Sequence, residues 1–155
     1  MADLEIITIT TLEEMAEALF VRRRVFIEEQ SVPEEEEIDG HDADPARVSS
    51  AVHVLGRLAG APVATGRLLV EYPPGHNAHA GRVAVLAAYR RRGLGRQIML
   101  ALHALARDRG FPGITLAAQT HAIPFYERLG YAVRGPVFLD AGIEHRWMDI
   151  DLRSI

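Results

Sequence analysis

The chain contains no cysteine and no lysine, and its single asparagine is Asn77. Without cysteine there is no disulfide bond, no thiolate nucleophile and no cysteine-ligated zinc, so the fold does not depend on the redox compartment. Without lysine, all 17 basic residues are arginine, and a phosphate loop ending in Gly-Lys-Ser/Thr is excluded. Any phosphate-binding chemistry in this chain therefore rests on arginine and backbone amides.

Long apolar runs are also missing, since none approaches the roughly 18 residues that a membrane-spanning helix requires. The first residues, Met1-Ala2-Asp3-Leu4-Glu5, place acids where a secretory signal peptide carries bases. We therefore expect a cytoplasmic protein with no membrane partner. The excess of 21 acidic over 17 basic residues gives a net charge of −4, which argues against a protein that coats nucleic acid.

With 155 residues, of which 48% are hydrophobic and 25% charged, the chain has the composition of one globular domain, expected over residues 1–155. The patterning predicts strands and helices in the order β-α, three strands, then α-β-α-β-β. The predicted strands are 4–8, 48–55, 63–71, 81–86, 114–118, 131–134 and 145–152; helices start at a Thr11/Glu14 capping box and span 93–109 and 123–129. This order predicts an α+β fold with a central mixed, mostly antiparallel twisted β-sheet of about six to seven strands flanked by helices.

Residues 28–44 contain nine acids and no arginine. Two interpretations stay open: a solvated connection, or one wall of a pocket that attracts a cationic substrate. Asp39, His41 and Asp42 also suggest a metal site, although a single short cluster is a weak signal.

The most informative stretch is Arg90-Arg91-Arg92-Gly93-Leu94-Gly95-Arg96, which follows an apolar strand and opens a helix. Two glycines let a ligand approach the backbone, the helix N-terminus presents free N–H groups, and four arginines add charge. A dinucleotide fingerprint is excluded because Ile98 stands where the third small residue belongs. The R-x-x-G-x-G spacing predicts an anion-binding cradle suited to a diphosphate.

With this pattern the sequence resembles the GNAT superfamily of acyl-CoA-dependent N-acyltransferases, in which it binds the pyrophosphate of coenzyme A. A second match is Gln119-Thr120-His121-Ala122-Ile123-Pro124-Phe125-Tyr126-Glu127-Arg128-Leu129-Gly130-Tyr131, which is similar to the family's N-x-x-A-x-x-F-Y-E-K-L-G-F/Y stretch. Gln119 replaces the usual asparagine. The resemblance implies an N-acetyltransferase that uses acetyl-CoA and no metal, with two parallel strands, 82–86 and 114–118, that splay apart around the thioester.

The resemblance also implies roles for individual residues. Tyr126 is the candidate general acid that protonates the leaving thiolate. The implied cofactor-binding residues are Val83, Ala84, Val85, Arg90, Arg91, Arg92, Gly93, Leu94, Gly95, Arg96, Gln119 and Phe125. A backbone N–H near Val85 would polarise the thioester carbonyl, and the acceptor amine would attack directly, since there is no cysteine to form an acyl-enzyme.

The general base is less defined, because strand 81–85 carries no carboxylate. His79 is our first choice, and Glu71, Glu28, Glu29 and His121 are the alternatives. The acceptor is expected to be a primary amine of a small molecule or peptide, and the exposed edges of such a sheet allow a homodimer. Two other functions stay open: a non-catalytic acyl-CoA-binding or sensing module, and a nucleic-acid module that uses the same arginines.

Overall fold

A computed structural model describes residues 3–154 of the chain. Seven strands form one sheet in the order β1-β2-β3-β4-β5-β7-β6. The helices and strands are β1 Leu4–Thr8, α1 Leu12–Arg22, α2 Glu34–Glu37, β2 Ala51–Leu58, β3 Ala61–Leu69, β4 Ala78–Val85, α3 Leu94–Asp108, β5 Gly113–Gln119, α4 Ile123–Arg128, β6 Ala132–Asp140 and β7 Ile143–Asp151. The mixed, mostly antiparallel sheet is confirmed, and so is the predicted order of elements, except that the four-residue helix α2 lies in the acidic segment where no helix was expected.

Several strand boundaries were predicted wrongly: β2 begins at Ala51 rather than at residue 48, and β6 continues to Asp140 rather than ending at residue 134. The hairpin of β2 and β3 turns at Ala59 and Gly60, both with positive φ, so most of the expected connection 56–62 is strand. Gly56 and Pro62 interrupt the local pattern. Pairing of β2 with β1 and with β3 nevertheless extends β2 over Gly56 and β3 over Pro62. Likewise β4 begins at Ala78, inside the expected loop 72–80, because Ala78 pairs with β5 and His79 pairs with both β3 and β5.

Helices cover both faces of the sheet. On one face the apolar stripe of α3, including Ile98 and Leu102, packs into the main core. Gly66 on β3 permits this close approach, because a Cβ there would lie 2.7 Å from the Ile98 side chain. On the opposite face, Val21 of α1 and Val25 pack against Ala84 of β4.

Strands β4 and β5 are the one parallel pair of neighbours among residues 3–154, and they stay paired only at their beginnings. The pairs are Ala78 with Ile114 and His79 with Thr115. Further along, β4 carries a bulge against β3, where Arg82 has a φ of 53°. A bulge bends its strand and increases the local twist. The two strands therefore separate towards their C-terminal ends, as the resemblance implied.

The acidic segment 28–44 is not simply a solvated connection, because two of its acids are buried against Arg22. The Arg22 guanidinium, 1% exposed, donates to Glu37 Oε2 at 2.7 Å and to both Asp42 oxygens at 2.7 and 2.9 Å. Burial opposes the charge of Asp42, but the hydrogen bonds and charge of Arg22 hold its pKa well below the usual range. This contribution to stability is present at neutral pH and is lost on acidification below the unfolded-state pKa of about 4.

Among the described residues, no group of three or more His, Asp or Glu side chains is placed to hold a metal ion, and Asp39 and Asp42 accept hydrogen bonds from Arg67 and Arg22 instead. No helix between residues 3 and 154 is both long enough and apolar enough to cross a membrane.

The Arg22 cluster makes a prediction for stability. Arg22→Ala leaves two carboxylates buried without their cation, and we expect the free energy of unfolding to fall by about 3–5 kcal/mol. Arg23→Ala is the matched control, since Arg23 pairs with Glu34 at the surface and its loss costs less than about 1 kcal/mol. Urea denaturation measures both. Equal stability of the two variants would contradict the structural role of Arg22.

Candidate functional site

A cavity of about 670 Å³ opens where β4 and β5 separate. Its lining comes from both faces of the sheet. Val85, Gly95 and Tyr126 line it on the side of α3, whereas Arg67 and His79 line it on the side of α1. An extended ligand that enters from α3 can therefore meet a second ligand that enters from the other face.

The N-terminus of α3 forms one mouth of this cavity. Gly93, at the N-cap, has a φ of 77°, which favours glycine, and no side chain caps the helix. The first helical hydrogen bond runs from the Gln97 N–H to the Gly93 carbonyl, so the preceding N–H groups have no acceptor within the helix. Gly95 lines the cavity, and a Cβ there would lie 3.4 Å from the Phe125 ring. This end of α3 suits an anion.

The arginines before α3 divide into two groups. Arg91, Arg92 and Arg96 are exposed around the helix N-terminus, with Arg92 lying over the Tyr89 ring at 5.5 Å. Arg90 instead turns back: its Nε donates to the Val85 carbonyl and its two Nη atoms donate to Glu29, each at 2.9 Å. Arg90 therefore ties the end of β4 to the segment after α1, beside the cavity that it lines.

Tyr126 lies on α4 and lines the cavity beside Gly95 and Val85. Its ring makes edge contacts with Phe125 and Tyr131, at centroid distances of 5.0 and 5.8 Å. Burial raises the pKa of Tyr126 to about 12. The phenol is therefore neutral at physiological pH and can donate a hydrogen bond into the cavity.

His79 lies on β4, on the other side of the same cavity. Its ring stacks on Tyr72 at 4.4 Å and meets the edge of Trp147 at 6.4 Å. Burial lowers the pKa of His79, and the charge of Asp149 opposes this only in part. The imidazole is therefore unprotonated near pH 7, which is the state that accepts a proton.

The other candidate bases are less favourably placed. Glu29 is held by Arg90, Glu28 pairs with Arg24 at 3.6 Å, and Glu71 accepts a hydrogen bond from Ser49 at 3.1 Å. Of the alternatives to His79 in the described part of the chain, His121 alone lines the cavity. Gln119, the replaced asparagine of the second motif, also lines it and donates to Gln30 at 2.8 Å.

The sequence did not identify the other residues that line the cavity on the side of α1. Arg67 and Arg82 line the cavity and pair with acids of the segment 28–44, and His145 and Trp147 of β7 complete the wall. Their partners lie tens of residues away along the chain, so no local spacing reveals them. One signal was available, namely that Arg67 interrupts an apolar strand, and a buried arginine needs a buried acid.

Comparison with known proteins gives consistent results. The acetyltransferase (GNAT) family matches residues 12–131. The uncharacterized N-acetyltransferase YjcF of Bacillus subtilis is 39% identical over 137 residues, covering 88% of this chain and 91% of that protein.

Solved structures with this architecture include an acyl-CoA N-acyltransferase from Pseudomonas aeruginosa, with a TM-score of 0.83 and 29% identity over 96% of this chain and 99% of that one. An aminoglycoside 6'-N-acetyltransferase complexed with coenzyme A shares the fold, with a TM-score of 0.71, 14% identity and 97% coverage of each chain.

The environment of Tyr126 makes a prediction that needs no substrate. In an ultraviolet difference titration of wild type against Tyr126→Phe, we expect no phenolate signal from Tyr126 below about pH 11, because burial disfavours its charged form. Circular dichroism follows folding across the same range. A Tyr126 transition near pH 10, the value of a solvated phenol, would contradict the burial that the structure shows.

Proposed function

The chain belongs to the GNAT family of acetyltransferases and is an acyltransferase, and we propose that it transfers an acetyl group from acetyl-CoA to a primary amine of a small molecule or peptide. The observation that carries this proposal is one continuous cavity that joins an uncapped helix N-terminus to a gap between parallel strands. An anion site and an extended slot are together what a long diphosphate-bearing thioester requires.

The residues present fit coenzyme A. The N–H groups at the start of α3 and the surrounding arginines, Arg91, Arg92 and Arg96, bind the diphosphate, and Gly93 and Gly95 leave room for it. Beyond His79, the edge of β4 no longer pairs with β5, so backbone groups of residues 83–85 can hydrogen-bond to the pantetheine arm as an added strand would. The coenzyme A complex of an acetyltransferase with the same fold supports this assignment.

Acetyl-CoA supplies a thioester: attack of the amine on its carbonyl carbon forms the C–N bond, breaks the C–S bond and releases a thiolate. The chain moves the two protons that this exchange requires. His79, unprotonated in its partly buried position, accepts the proton from the amine. Tyr126, kept neutral by burial, donates a proton to the sulfur on the opposite side of the gap.

Binding of coenzyme A tests the cradle. Calorimetric titration of the wild type should show binding of acetyl-CoA and of free CoA, with weak or absent binding of ATP. Gly95→Leu should weaken the binding of both coenzymes by more than about tenfold. The structure has room for a Cβ at this position, but the rest of the leucine side chain would occupy the cavity.

Ala104→Leu, on the exposed side of the same helix, is the matched control and should bind as the wild type does. No binding of either coenzyme by the wild type would remove the acetyltransferase proposal.

The role of Tyr126 is tested by turnover. Tyr126→Phe should lower kcat roughly 100-fold, the contribution of one general acid, and leave the affinity for acetyl-CoA unchanged. Release of free thiol with a reactive amine measures kcat, and calorimetry measures affinity. Unchanged turnover would exclude Tyr126 as the acid.

A further inference from the structure

Arg67 lines the cavity and uses only part of its guanidinium in hydrogen bonds. The residue is 5% exposed and lines the wall opposite α3. Within residues 3–154 only its Nη1 makes hydrogen bonds, to Asp39 Oδ1 and Oδ2 at 2.9 and 3.1 Å and to Asp42 Oδ1 at 3.2 Å. Its Nε is buried and has no hydrogen-bond partner in that part of the chain.

A buried donor without an acceptor is unfavourable in a folded protein, so the Arg67 Nε calls for an acceptor from outside the chain. The Nε–Nη2 edge of a guanidinium carries two parallel N–H bonds, whose spacing matches the two oxygens of a carboxylate. Because Asp39 and Asp42 hold Nη1, the plane of the Arg67 guanidinium is fixed and this edge is pre-oriented.

The neighbouring charges leave Arg67 as the unsatisfied member of its cluster. Arg22 is fully engaged with Glu37 and Asp42. Arg82 pairs with Glu37 at 3.2 Å and donates to the Glu37 carbonyl at 3.1 Å. Three arginines therefore already balance Glu37, Asp39 and Asp42, so these acids do not form an anionic wall for a cationic substrate.

Arg67 lies near His79, the proposed base, on the same side of the sheet. Arg67 is opposite Gly81 across β3 and β4, and its neighbour on the same face, Leu69, is opposite His79. Since adjacent strands lie about 4.8 Å apart, the Arg67 edge is one to two strand spacings from the gap between β4 and β5. A molecule of a few bonds' length can place one end at Arg67 and the other beside His79.

We propose that the acceptor amine also carries a carboxylate, and that this carboxylate binds the Nε–Nη2 edge of Arg67. This inference rests on the proposed acetyl transfer and names the class of its acceptor. Glu36 and Asp140 line the same cavity and bear negative charge. They favour the ammonium end of such an amino acid, whereas Arg67 holds its carboxylate end.

Matched pairs of acid and amide test the proposal directly. We would titrate glycine, β-alanine, γ-aminobutyrate and phenylalanine, each against its carboxamide, into wild-type protein saturated with free CoA. At least one acid should bind more than about tenfold more tightly than its amide, and thiol release with acetyl-CoA should show the same preference.

The variant Arg67→Lys tests whether Arg67 is the residue that binds the carboxylate. Lysine keeps the charge that pairs with Asp39 and Asp42 but lacks the two-pronged edge. We expect KM for the preferred acid to rise about tenfold or more, with kcat, the KM of acetyl-CoA and the KM of the amide changed less than about twofold. Arg57 of β2 pairs with Glu17 of α1 and does not line the cavity, so Arg57→Lys should change none of these constants.

The outcomes separate the two proposals. Failure to bind acetyl-CoA removes the acetyltransferase function itself. Binding of acetyl-CoA with equal or better use of the amides, no binding by any acid of the panel, or an equal effect of Arg67→Lys on acid and amide overturns the carboxylate site alone. The comparison of acids and amides needs no variant, so it decides the question even where Arg67→Lys does not fold.

Discussion

The site depends on two neighbouring strands that stop pairing. β4 and β5 share only two residue pairs before they diverge, and the bulge at Arg82 bends β4 away. A continuous sheet would bury the edge of β4 in hydrogen bonds and close the cavity. Because the pairing stops, backbone groups that a sheet normally satisfies internally become available to an extended ligand. The cavity also connects the two faces of the sheet.

The buried guanidinium cluster holds that bend in place. Arg82, at the bulge, is anchored by the carbonyl and carboxylate of Glu37, which Arg22 holds in turn. Arginine suits this role because its planar fork satisfies several acceptors at once and stays charged when buried. The cluster thus couples the acidic segment to β4, and the arginine-paired acids Glu37 and Asp42 position the wall of the cavity rather than supplying free charge.

Local and nonlocal features differed in how far the sequence predicted them. The start of α3 at Gly93 and the capping box at Thr11 depend on residues a few positions apart, so local spacing predicted both. The Arg22, Glu37 and Asp42 cluster joins residues 15 and 20 positions apart, and a charge run gives no sign of which acids will be buried. The same limit applies to the strand ends, which tertiary pairing extended across Gly56 and Pro62. Arg67 was missed for this reason, although its place inside an apolar strand indicated a buried partner.

One physical effect prepares both proton-transfer groups of the proposed reaction. Removal from water disfavours the charged form of any group, so it raises the pKa of the Tyr126 phenol and lowers that of the His79 imidazole. The acid is thereby kept protonated and the base unprotonated over the same range of pH, and for His79 this effect of burial outweighs the opposing charge of Asp149. Because neither group is charged before the reaction, each acquires charge only as the amine and the sulfur exchange protons with it. A single partly buried cavity between two diverging strands therefore sets the geometry of the transfer and also the protonation states that it needs.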